Sequence, residues 1–167
     1  MSQETLRPAR PADLDRILDI ESRWATTPGW NRSHFEQELS SGRSYFAVIE
    51  REGPCVRSCS ARTVPGAISR QGLVCGYAVL WKVPPEAQLL TIAVAPEAAR
   101  CGFGRKLLSH LIETCRSLDF QKVTLEVSAA NVPARRLYES AGFRVVGRRP
   151  KFYNDGSDAI LMDLPLP

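Results

Sequence analysis

Residues 122–128, Lys-Val-Thr-Leu-Glu-Val-Ser, alternate strictly between apolar and polar. That period predicts a half-buried strand with Val123, Leu125 and Val127 on one face and Thr124, Glu126 and Ser128 on the other. A different spacing runs through 11–25, where Leu14, Ile17, Leu18 and Trp24 form a helical stripe. Pro11 suits that helix's first turn, and Asp13 and Asp15 its positive end. A shorter helix over 32–41 offers Phe35 and Leu39 to a core and stops before Gly42. Strands are expected over 5–10, 44–51 and 73–83, with a turn at Pro84-Pro85. The next strand, 87–94, is almost continuously apolar, which predicts burial on both faces and a central position.

Beyond a glycine turn, Phe103, Leu107, Leu108, Leu111, Ile112 and Cys115 share one side of a helix. Asn131 can cap a further helix, with Pro133 in its first turn and Gly142 at its end. Closing strands over 143–149 and 158–164 flank a turn at Asp155-Gly156. Residues 53–72 have neither period and are rich in Gly, Pro and Ser, so an exposed loop is expected there. The order β-α-α-β-β-β-α-β-α-β-β implies an α/β mixed sheet with helices on both faces. One domain over 1–167 fits the length.

Composition is that of a soluble globular protein, with no apolar run near the roughly 18 residues of a membrane span. The start is polar and carries acidic residues, unlike a secretory signal, so a cytoplasmic location is expected. Five cysteines without paired spacing and two histidines offer no metal site, and His34 and His110 are expected at the surface. The net charge is +4, but residues 96–151 hold 11 basic and 5 acidic side chains. A polyanionic cofactor fits that asymmetry. Nucleic acid fits it less well, because aromatic residues are not interleaved with the basic ones.

The basic excess surrounds Arg100-Cys101-Gly102-Phe103-Gly104-Arg105, between a strand and a helix. Glycines there let the backbone turn tightly and bring bare N–H groups to an anion, and the helix start adds its positive dipole end. Arg100 and Arg105 bring permanent charge and forked donors to the rim. A P-loop is excluded because no Lys-Ser/Thr pair follows the turn. The dinucleotide fingerprint fails because its third glycine position is Leu107. By spacing alone Glu126 is equally a base in a cleft or a solvated strand residue. Tyr138, with Ala134, Leu137 and Ala141 on its stripe, serves packing, chemistry or both.

Residues 89–112 followed by 125–143 resemble the GNAT superfamily of N-acetyltransferases, and the segments 28–39 and 152–167 extend the likeness over nearly the whole chain. Within it the sequence is most similar to the RimI branch, enzymes that acetylate the N-terminal alanine of a ribosomal protein. The resemblance implies acetyl-CoA as co-substrate and a mostly antiparallel mixed sheet of about seven strands, splayed at the cofactor, with about four helices. It implies that Ile92, Ala93 and Val94 bond the pantetheine arm, that Arg100 to Arg105 hold the pyrophosphate, and that Asn131 also contacts the cofactor. Glu126 would accept a proton and Tyr138 would donate one, with no covalent role for Cys101. Trp30 and Tyr153 would flank an acceptor groove, unless they are core residues. A protein N-terminus is the expected partner and a monomer the expected state. A small amine, a lysine side chain, or a CoA-binding module without turnover are the alternatives. The chain departs from the family with Ala99 where the phosphate turn usually opens on Gln or Arg, and with an extra Gly29 and a longer 53–72.

Overall fold

The computed structural model describes residues 3–25, 28–52 and 72–167. Strands β1 (Glu4–Pro8), β2 (Ser44–Arg51), β3 (Leu73–Val83), β4 (Glu86–Val94), β5 (Lys122–Ser128), β6 (Arg144–Arg149) and β7 (Ala159–Pro165) alternate with helices in the predicted order. The helices are α1 (Leu14–Ser22), α2 (Arg32–Ser40), α3 (Phe103–Ser117) and α4 (Val132–Ser140). The expected 53–72 loop lies outside the described residues except for Gly72, as do Cys55 and Cys59.

The seven strands form one sheet in the order β1-β2-β3-β4-β5-β7-β6. Every neighbouring pair is antiparallel except β4 and β5. Central β4 meets its predicted burial in an unexpected way. Leu89 pairs with Leu80 and Thr91 with Val79, leaving Leu90 as the extra residue of a β-bulge. On β3, Tyr77 hydrogen-bonds Glu21 of α1, while a Cβ on neighbouring Gly76 would touch Leu107 of α3. By that register Ala87 and Leu89 are buried toward α3, whereas Thr91 and Ala93 are buried toward α1 and α2. The bulge turns the strand over, so each face is buried in turn.

The same bulge opens the sheet. β4 pairs with β5 only from Glu86 to Leu89 against Lys122 to Leu125, although β4 runs on to Val94 and β5 to Ser128. The two parallel strands therefore part, leaving a cleft between their C-terminal ends.

Helix α3 closes one side of this arrangement with Phe103, Leu107, Leu108, Leu111, Ile112 and Cys115, all buried. Each such leucine-sized side chain contributes about 1.5–3 kcal/mol through lost apolar exposure. Helix α4 lies beside the start of α3, since a Cβ on Gly104 would sit 3.4 Å from Leu137 Cδ2.

Helix α1 departs from expectation. A single 3-10 turn, Pro11–Asp13, precedes it, and it ends at Ser22 with Leu14, Ile17, Ile20 and Glu21 buried. Trp24 lies beyond its end, 38% exposed, and its indole N–H donates to the Val94 carbonyl at 2.8 Å. Glu21 takes the inward position because its carboxylate is satisfied there. The Tyr77 hydroxyl donates to one oxygen and the Trp30 backbone N–H to the other at 3.0 Å. A buried charge with such partners escapes most of the desolvation cost that keeps carboxylates outside.

Candidate active site

The turn after β4 has the shape the glycines predict. Gly102 adopts φ +83° as the residue preceding α3, and Arg100 also has positive φ at +63°. A Cβ on Gly102 would meet nothing within 4 Å, so conformation rather than space requires the glycine there. Gly104 differs: a Cβ there would meet Leu137 at 3.4 Å and Val94 at 3.8 Å, ordinary packing distances in a helical conformation. Asn31 and Asn131 cap α2 and α4 through their side chains, whereas no side chain caps α3. The first N–H groups of α3 therefore have no intrahelical acceptor and point, with the helix dipole, toward the turn. Arg100 and Arg105 are exposed beside it, and Arg105 reaches the Ser140 hydroxyl of α4 at 3.4 Å. This cradle fits a diphosphate through backbone donors.

The remaining cofactor candidates divide. Ile92 and Val94 are half-buried at the open end of β4, while Ala93 turns its side chain into the core. The Val94 carbonyl is engaged by Trp24, a partner that the helical stripe did not suggest. Phe103 is buried as a core residue, so only its backbone can serve the cradle. Cys101 is half-buried with a free thiol. The Asn131 side-chain oxygen accepts from Ala134 N at 3.2 Å, confirming the cap and leaving the amide NH2 group directed elsewhere.

On the far side of the cleft, Glu126 occupies the polar face of β5, opposite the face that packs on α3. Its Oε1 lies 3.2 Å from Arg149 Nη1. The Arg149 guanidinium stacks over Phe152 with 5.5 Å to the ring centre. Phe152 in turn meets Tyr153 edge-on at 5.3 Å. Burial raises the Tyr153 pKa, and the Glu126 and Asp155 carboxylates raise it further. Tyr138 is buried against Phe143, and burial raises its phenol pKa as well, with Tyr153 adding to the shift. Tyr153 thus lies within electrostatic reach of both Glu126 and Tyr138.

The segment that carries Tyr153 is fixed by its own backbone. Gly156, at φ +79°, donates to the Tyr153 carbonyl, Tyr153 N donates to Ser157 O at 3.0 Å, and Asp155 Oδ1 accepts from Ser157 N at 2.8 Å. The predicted Asp155-Gly156 turn is therefore present. Trp30 does not join the cluster. It packs edge-on against Phe35 at 5.4 Å, and its half-buried ring belongs to the rim of the core near Tyr77.

Sequence reasoning missed Arg149, which it counted only as charge. The register explains the contact: Glu126 opposes Leu161, which opposes Gly147, and Arg149 lies two residues further on the same face. It also missed Glu97, which ties α1 to the turn after β4 through Arg16 at 2.6 Å and Arg23 at 2.9 Å. His110 is half-buried rather than a free surface residue, with its Nε2 2.7 Å from the Tyr45 hydroxyl. Among the described residues no three His, Cys, Asp or Glu side chains group as a metal site, and no helix is long and apolar enough to cross a membrane.

A family model described as the acetyltransferase (GNAT) family matches residues 14–143. The ribosomal protein bS18-alanine N-acetyltransferase of Escherichia coli is 40% identical over 102 residues, covering 59% of this chain and 69% of that one. An N-alpha-acetyltransferase of Sulfurisphaera tokodaii is 30% identical over 165 residues, covering 96% and 92%. The crystal structure of the ribosomal-protein-S18-alanine N-acetyltransferase from Escherichia coli superposes with a TM-score of 0.78 at 31% identity, covering 98% of this chain and 94% of that one.

Proposed function

The chain belongs to the GNAT family of acetyltransferases, and on that footing we propose that it transfers the acetyl group of acetyl-CoA to the N-terminal α-amine of a protein. An N-terminal alanine of a ribosomal protein is the acceptor, by similarity to the relatives named above. The observation that carries the reading is the parting of β4 from β5 beyond Leu89 and Leu125, with the uncapped start of α3 following one strand and Glu126 on the other. The cleft where β4 leaves β5 lies alongside Glu126.

The cradle from Arg100 to Arg105 would hold the pyrophosphate on the backbone N–H groups of α3, with both arginines supplying charge. Those donors make up for Ala99 at the start of the turn. Ile92, Ala93 and Val94 would offer backbone groups to the pantetheine arm, and Asn131 its amide. When bound, acetyl-CoA supplies an already activated thioester, so Cys101 has no covalent work to do.

The amine attacks in its neutral form. As the new N–C bond forms and the C–S bond breaks, the nitrogen must shed a proton, which Glu126 collects directly or through one water. Tyr138 donates its phenolic proton to the departing sulfur. Because its pKa is raised, that phenol stays protonated throughout the neutral range. Tyr153 and the open side of the cleft would border an extended peptide.

Thiol release from acetyl-CoA across a peptide panel tests the reading. A peptide beginning with alanine should be turned over, and its N-blocked counterpart should not. Turnover confined to lysine side chains would replace the proposed acceptor while leaving the fold intact.

A further inference from the structure

We infer that Arg149 is the specificity-determining residue that lets this site choose an α-amine over a lysine side chain, an inference that rests on Glu126 being the proton acceptor. Arg149 Nη1 stands 3.2 Å from Glu126 Oε1, and the two side chains are 52% and 26% exposed. The cation is therefore the more exposed member of the pair. The guanidinium lies over the Phe152 ring, and Tyr153 meets Phe152 edge-on.

The other groups around Glu126 do not duplicate this charge. Thr124 and Ser128 share its strand face and are neutral, and Leu161 opposes it on β7. Tyr153 is a neutral phenol in the working range, with Asp155 beyond it. Arg148, next to Arg149, is already paired with Asp158.

A bare carboxylate at the mouth of a cleft would attract any ammonium ion. With a guanidinium paired to one of its oxygens, an arriving cation meets a like charge, and a neutral amine enters more readily. The neutral fraction separates the two acceptor classes. An α-amine with pKa near 8 is about one-tenth neutral at pH 7, whereas a lysine with pKa near 10.4 is neutral in about one molecule of several thousand. Admission of the neutral form alone favours the α-amine on the order of 200-fold. Without Arg149 the freed carboxylate could bind an ammonium and remove its proton in place.

The test compares kcat/KM for a lysine-free peptide beginning with alanine and for an N-blocked peptide with one lysine. The proteins are the unaltered enzyme, Arg149→Gln, Arg149→Met and Arg149→Lys. Both neutral variants should narrow the preference by about fivefold to tenfold, the size one partly screened charge supports. Arg149→Lys should retain most of it. Calorimetry without acetyl-CoA should show the N-blocked lysine peptide binding more tightly to Arg149→Gln than to the unaltered enzyme. An unchanged preference in both neutral variants, or equal behaviour of Arg149→Lys and Arg149→Gln, overturns the role of Arg149 alone. If the unaltered enzyme favours the lysine peptide, or turns over neither, the α-amine reading and this inference fall together.

Discussion

The indole N–H of Trp24 donates to the carbonyl of Val94, fastening the chain just past α1 to the end of β4 at 2.8 Å. Arg16 and Arg23 grip Glu97 a few residues further on. Helix α1 and the residues just past it are thus tied at three points to the end of β4 and the turn beyond it. Acetyl-CoA bound along β4 would change the surroundings of an indole that is 38% exposed. Tryptophan emission should shift on titration with acetyl-CoA, and Trp24→Phe should lose most of the shift. An identical titration in that variant would separate Trp24 from the cofactor strand.

Glu126→Gln keeps the side-chain shape but cannot take a proton. Turnover of an alanine peptide at pH 7 should fall about 100-fold, the usual scale of general-base catalysis. Rates should partly recover at higher pH, where solvent hydroxide takes over. A pH–rate profile parallel to that of the unaltered enzyme would leave Glu126 with a structural role only.

Tyr138→Phe removes one oxygen from a buried ring and leaves its contact with Phe143 in place. Transfer should slow about tenfold or more, with acetyl-CoA affinity largely retained. In the unaltered enzyme the raised phenol pKa means that Tyr138 still holds its proton above pH 10. Any alkaline loss of rate up to that point must come from another group. A Tyr138→Phe enzyme with unaltered rates would assign the residue to packing.

The two glycines of the cradle should respond differently. At φ +83°, Gly102→Ala places a Cβ in strained backbone and should cost about 1 kcal/mol, with weaker acetyl-CoA binding as the turn relaxes. Gly104→Ala adds a methyl at ordinary contact distance from Leu137 within a helix, so its melting temperature should hold or rise. Calorimetric Tm values for the two variants check the contrast.

The sequence and the structure agree where a local rule decides. Alternation on 122–128 set Glu126 on the polar face, glycines between a strand and a helix marked the turn where Gly102 takes φ +83°, and Asn131 before Pro133 marked a cap. What stayed hidden depends on partners distant in the chain. Nothing local to Glu126 reveals Arg149, because their contact follows from the register of β5 on β7 and of β7 on β6. Glu21 reads as a surface residue until Tyr77 and Trp30 are brought to it. Trp24 fits a helical stripe by spacing, yet its indole finds an acceptor on β4 once the helix has ended. The apolar run of β4 was read correctly as central, but the bulge at Leu90 that turns it over has no signature in residue type.

Arg7 makes the clearest stability prediction. Its guanidinium bonds both oxygens of Asp13, at 2.8 and 2.9 Å, and also Glu50 at 2.7 Å, joining β1, β2 and the turn before α1. Burial alone would raise the Asp13 pKa, but the hydrogen bonds from Arg7 and from the Arg10 backbone outweigh it and hold the carboxyl below its ordinary range. A carboxylate depressed in the folded state adds stability that is complete above its unfolded pKa of about 3.9. That stability is lost as pH falls through the lower folded value. The urea midpoint of the unaltered protein should therefore hold from pH 7 to pH 5 as far as this group is concerned, then fall steeply below pH 4. Asp13→Asn should lower stability at pH 7 by about 2–4 kcal/mol, because Arg7 loses its main partner in a half-buried place. The variant should also show a shallower decline in acid. Equal acid slopes for the two proteins would show that Asp13 is not the group whose protonation loosens this corner of the fold.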